Sequence, residues 1–361
     1  MKDGLQYNYS DILSVPGAAL KAKKIFVTSL SLLAGLIIYG IFSYLALIIE
    51  GYSITGIFAN CGLLPLSELP LNSTIGEIFY YVGVFLSLFS VLSGMSAVAV
   101  MDLENFRGNP FCTILQALKF SRSRAKQLFM SFLTIVLFVL FIILLGAATG
   151  LIARIPYLGD LLYSVMFFFP NFIISLMTLV VIFVLMAGIL LMPPAVAADR
   201  AGETFNSILG TFSTIIRQPV RWIIYTLYSF ICAKIAGFIF ACFCFGGLWF
   251  MKFITGLGGG EKTDIMISSG LSHLPLKSIP VEFTFNLIPG ANFGIDVSTL
   301  AGSTINGDIF SYVTAFSLFL VFLTIWGYII SIVATGQTYA YAIIRKFREG
   351  YDTTEEEAIY N

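Results

Sequence analysis

Charge is scarce in this chain: Asp, Glu, Lys and Arg make up 11% of its 361 residues, against roughly a quarter in soluble domains. The sequence holds one histidine, His273, with no second histidine or cysteine near it, so no His/Cys ligand pattern for a metal is present. No metal or other cofactor is expected. No apolar run carries a central Asp or Glu, which removes the carboxylates that intramembrane hydrolysis needs. Five cysteines give no disulfide framework, since Cys232, Cys242 and Cys244 share one apolar run and Cys61 and Cys112 fall on opposite sides of the membrane.

Apolar residues are abundant, at 58%, and Phe alone occurs 35 times. A helix needs about 20 mostly apolar residues to cross a hydrocarbon core. Six such runs are read, at 25–49, 78–101, 128–152, 171–192, 222–250 and 312–334. The fourth is set to begin near Asn171, because Pro170 breaks the longer run and leaves 161–169 as a short interfacial piece. No cleavable signal is seen, so the first run is expected to stay as a membrane helix.

Lys and Arg collect in cytoplasmic loops. The N-terminus, 102–127, 193–221 and the C-terminal tail together hold 15 of the 20 basic residues, which predicts that both termini are cytoplasmic. Lys119, Arg122, Arg124, Lys126, Arg217 and Arg221 then lie beside helix ends, facing lipid headgroups, where each gains about 1 kcal/mol from anionic lipid. Simple topology signalling explains the same residues. The outer side is acidic, so nucleic acid is not expected as a partner.

The chain repeats itself loosely. "ILSVPGAALKAKKIFVTSL" (12–30), "ILQALKFSRSRAKQLFMSFL" (114–133) and "ILGTFSTIIRQPVRWIIYTL" (208–227) each run from Ile-Leu through an amphipathic stretch and a basic cluster into a span. The ends of the second and fourth spans correspond too: "SAVAVMDLENFRG" (96–108) and "PPAVAADRAGETF" (193–205) place Ala-Val-Ala before Asp102 and Asp199. Both aspartates are expected to cap the helix that follows. The third copy, "VATGQTYAYAIIRKF" (333–347), has no aspartate. The expected fold is therefore an all-α membrane protein of three parallel hairpin units, 1–110, 111–206 and 207–361, each led by a cytoplasmic amphipathic helix. An outer insertion at 251–311 forms a small cap, with a β-hairpin signal in "VEFTFNLIPGANFGIDVSTL" (281–300), and the cytoplasmic tail is 345–361.

"PPAVAADRAGETFNSILGTF" joins a small, Pro-containing helix end to an acidic residue, a glycine and an amphipathic "ILxxF" helix. In this it resembles the bacterial six-span group that includes the YciC-like family and the membrane domain of some glycerophosphodiester phosphodiesterases. The resemblance spans about the middle half of the chain and implies a protein of the bacterial inner membrane. The chain has no soluble catalytic domain of that group, and no catalytic residue carries over.

Other motifs fail. "GLGGGEKT" has Glu261 where a phosphate-binding loop needs glycine before the lysine. Asn72 in "NST" matters only in a secretory pathway, and "GAATG" (146–150) offers a common helix-contact pattern. A Ser-Lys dyad of Ser229 and Lys234 would face partly different directions on one helix, so the chain is not read as an enzyme.

Lys234 stands out. It follows Trp222 by about 18 Å of helix, which puts a cation near mid-membrane at an insertion cost of roughly 2.5–3.5 kcal/mol. Three readings stay open: a buried structural lysine bonded to a tyrosine or carbonyl, a ligand-binding lysine facing a lipid phosphate or carboxylate, and a lysine paired with another subunit's carboxylate. The sequence points to a membrane protein that transports or handles a lipid or small anion, with membrane lipids as partners. The alternative is a non-catalytic subunit or assembly factor, held by a membrane partner or by a second copy of itself.

Overall fold

A computed structural model describes residues 5–61, 64–65, 71–152, 154–274 and 309–350. Among them every regular element is helical. Two short helices, α1 (Tyr9–Leu13) and α2 (Val15–Ala19), lead into α3 (Ala22–Ile49), α4 (Ile54–Cys61), α5 (Thr74–Phe106) and α6 (Ile114–Ile152). Then follow α7 (Leu158–Leu162), a π turn (Tyr163–Phe167), α8 (Phe168–Ala198), α9 (Thr204–Arg217), α10 (Pro219–Gly259), α11 (Glu261–Ser272) and α12 (Ile309–Glu349). Six helical stretches are long and apolar enough to cross a membrane, and they contain the six expected spans.

Three boundaries differ from the sequence reading. The fourth span does not begin at Asn171, because helix runs from Leu158 through the π turn into α8. Pro170 stands just after the π turn, where the regular i to i−4 ladder is already interrupted and can take a residue without an N–H. The amphipathic stretch 114–127 is not a separate helix but the first part of α6. The stretch at 208–217 does break from its span, at Gln218, whose backbone (φ −132°, ψ 58°) lies outside the helical region that a residue preceding proline, here Pro219, avoids. Finally, the start of the expected outer insertion is helical: α10 continues to Gly259, and α11 follows after a turn at Gly260 with φ +58°. The hairpin expected at 281–300 lies outside the described residues.

Helices α5, α8 and α12 touch one another at the centre, with α3 against α5 and α12, α6 against α5 and α8, and α10 against α12. The central contacts use small side chains: Ala97, Val98, Ala99, Ala195, Val196, Ala197, Ala334 and Ala340 are all buried. Small residues let helix backbones approach where lipid gives no hydrophobic drive to pack. At Gly327 on α12 an added Cβ would stand 2.0 Å from Ser29 Oγ and 2.9 Å from the Ile25 carbonyl of α3. This section of the bundle is packed shut.

Beyond it the helices part. On α6 the run Val136, Leu137, Phe138, Leu140 and Phe141 is exposed, as are Phe168, Phe169, Phe172, Leu176 and Leu179 on the facing part of α8. The two helices meet there through a hydrogen bond from Asn171 Nδ2 to Thr149 Oγ1 at 2.9 Å, forming an arm with apolar flanks.

Candidate functional site

The most buried chemistry lies at the end of the bundle holding the N-terminal helices. Lys24, on the first turn of α3, donates to Asp102 Oδ1 of α5 at 2.5 Å, to the Ala18 carbonyl at 2.8 Å and to Thr335 Oγ1 of α12 at 3.3 Å. Both charged side chains are 2% exposed. Asp102 is therefore not the cap of the following helix. It sits inside α5, which continues to Phe106, because Lys24 supplies the partner that lets a carboxylate stay in a helix interior. One residue pair further along α5, Glu104 and Arg107 form a second buried pair at 3.1 Å.

Asp199 ends α8 and makes a turn contact rather than a cap, the N-cap position of α9 being Glu203. Its Oδ2 accepts the Glu203 backbone N–H at 2.8 Å and the Gln127 amide at 2.7 Å, and that amide also lies 2.7 Å from Ser207 Oγ. Gln337 of α12 accepts from Trp222 Nε1 at 3.2 Å and donates to Thr226 Oγ1 at 3.1 Å, joining α12 to α10. Sequence reasoning missed Lys24, Gln127, Trp222 and Gln337. A signal was present: Lys24, Gln127 and Trp222 each stand four residues before a hydroxyl side chain, Thr28, Ser131 and Thr226, near the start of their spans.

Lys234 is 2% exposed within α10 and lines neither cavity described below. Of the headgroup-facing set, Lys119, Arg122, Lys126 and Arg217 are exposed. Arg124 donates to the Arg200 carbonyl at 2.8 Å, and Arg221 donates to Gln218 Oε1 at 3.1 Å while its guanidinium covers the Phe347 ring, so these two also brace the fold. Outside the spans, Cys112 is buried, and burial, with Glu104 nearby, pushes its thiol above the usual range. Among the described residues no three His, Cys, Asp or Glu side chains gather as a metal requires.

Two cavities lie among the described residues named so far and their neighbours. At the far end of α3 and the near end of α12, a groove of about 700 Å³ is lined by Leu36, Ile41, Phe58, Phe316 and their neighbours, with Tyr44, His273 and Tyr312 as its residues bearing polar groups. His273 Nδ1 is 2.7 Å from the Ser269 carbonyl, and its ring meets Tyr312 edge-on at 4.7 Å. The second cavity, about 550 Å³, is polar and lies between the end of α8, α9 and the end of α12. Comparison of the chain with family models, curated proteins and solved structures finds no match.

Proposed function

We propose that this polytopic membrane protein handles lipid, holding an acyl chain in the groove between α3 and α12, and that it does so without catalysis. The groove is the observation that carries the reading. Its volume falls in the range of small-molecule sites, its walls are apolar and its few polar groups belong to Tyr44, His273 and Tyr312, as an amphiphile requires. It lies against two helices able to span the membrane, so an acyl chain reaches it without crossing water. The packed centre of α5, α8 and α12 argues against an aqueous conduit along the bundle axis.

The same reading takes the spans as three parallel hairpin units in a bacterial inner membrane, with both termini cytoplasmic. Its support is one polar coupling within each unit, made in every case by a residue four before a Thr or Ser: Lys24 to Asp102, Gln127 to Asp199, and Trp222 with Thr226 to Gln337. Mass spectrometry of protein extracted gently from its membrane tests the function. Wild type is expected to retain lipid in fixed proportion. Ile41→Trp, which narrows the groove from a half-exposed position, should lose that lipid without loss of fold. Wild type stripped of lipid, or equal retention in the variant, would overturn the reading.

The arm of α6 and α8 supports a second reading, that of a subunit in an assembly. Its flanks expose Phe138, Phe141, Phe169 and Phe172. Cysteine cross-linking along Phe138 and Phe172 in native membranes would report a second copy or a partner; monomeric products only would remove this reading.

A further inference from the structure

The polar cavity is lined by three arginines and one aspartate, Arg200, Arg217, Arg345 and Asp199. Asp199 Oδ2 accepts the Gln127 amide and the Glu203 N–H. One wall is a face of α9, where Asn206, Gly210, Ser213 and Arg217 recur at helical spacing. Tyr341 and Arg345, four residues apart on α12, form the opposite wall, and Arg345 donates to the Tyr341 hydroxyl at 3.3 Å. Gly210 is what lets the walls approach: a Cβ there would stand 2.7 Å from that hydroxyl. The floor is Ala195 and Ala198.

We propose that this cavity binds a phosphate group, with the arginines as its main ligands and Asn206, Ser213 and the Tyr341 hydroxyl as neutral partners. Guanidinium donors match phosphate oxygens in pairs, and three arginines from three chain segments surround one volume. The cavity sits at the C-terminal ends of α8 and α12, two helices able to span a membrane, where a headgroup would meet it. A phospholipid headgroup and free phosphate share this chemistry. The groove lies at the other end of α12, roughly 40 Å away along the helix, so one lipid does not fill both. Only the choice of a lipid as the source rests on the lipid-handling reading.

The test uses the full chain in nanodiscs of phosphatidylcholine with a minor fraction of phosphatidylglycerol, and reads bound phosphatidylglycerol by native mass spectrometry. Arg217→Gln and Arg345→Gln are each expected to weaken retention about tenfold, the scale of one charge-assisted hydrogen bond. Lys119→Gln removes an exposed charge outside the cavity and should weaken it far less. Equal losses in all three variants would mean a diffuse surface field and overturn the site. Arg217 is exposed, so its variant keeps the test valid if Arg345→Gln does not fold. Inorganic phosphate added to detergent-solubilised protein separates the sources: thermal stabilisation that disappears in Arg217→Gln supports free phosphate in the same cavity. No retained phosphatidylglycerol and no phosphate effect in wild type would end the proposal. Loss of groove lipid in Ile41→Trp, with phosphatidylglycerol retention intact, would leave both readings standing separately.

Discussion

Removing one member of the Lys24–Asp102 pair is expected to damage the fold far more than removing both. Lys24→Met takes the donor from Asp102 Oδ1, from the Ala18 carbonyl and from Thr335 Oγ1 at once. Asp102 Oδ2 already has no hydrogen-bond partner among the described groups, so the carboxylate would be left buried and wholly unpaired. Breaking a buried pair in this way costs about 3–5 kcal/mol. Asp102→Leu strands the ammonium with two neutral acceptors and should cost a similar or slightly smaller amount. The double variant Lys24→Met/Asp102→Leu buries no charge, and exchanging a buried pair for apolar side chains is often neutral or stabilising by about 1–4 kcal/mol. With the singles each costing about 3–5 kcal/mol and the double variant near neutral, a coupling of about 6 kcal/mol or more should therefore emerge from the cycle. Denaturation in mixed detergent micelles, followed by the fluorescence of Trp222, Trp249 and Trp326, measures all four proteins. Single variants that each cost under about 1 kcal/mol, as an exposed pair would, would refute the reasoning.

Further outcomes follow from other contacts. Gly327→Val places side-chain atoms against Ser29 and the Ile25 carbonyl, which cannot move aside, and should cost at least about 1–3 kcal/mol in the same assay. Gln127→Leu leaves Asp199 without its amide donor, at about 1–3 kcal/mol. Gln127→Glu should be worse, because it sets a second carboxylate beside the first. Burial keeps Cys112 in its thiol form at neutral pH, so a maleimide should label it slowly in folded protein and readily after denaturation; fast labelling of the native protein would contradict its burial.

Apolar run length alone made the six spans legible, since length and composition decide what can cross a bilayer. Which amphipathic stretches stand apart from their spans was not legible from periodicity, because 114–127 and 204–217 share a helical pattern. The difference is Pro219, which forces Gln218 out of helix, whereas nothing between Ala117 and Gln127 does so. Lys234 drew attention as a cation deep in an apolar run, yet it lines neither cavity. Lys24 lies near a span end, where basic residues usually mark topology, and its pairing with Asp102 depends on helices 78 residues apart. The basic cavity was only partly readable: Arg217 was singled out as headgroup-facing, but Arg200 and Arg345 join it only once α8, α9 and α12 converge.

Photo-cross-linking in nanodiscs with a phospholipid bearing a diazirine on its acyl chain tests the groove most directly. Adducts concentrated on Ile37, Ile41, Tyr44 and Phe316, and lost from that cluster in Ile41→Trp, are the predicted result. Adducts spread evenly over the equally exposed Phe138, Leu144 and Phe172 would show ordinary lipid contact and contradict a lipid-holding groove.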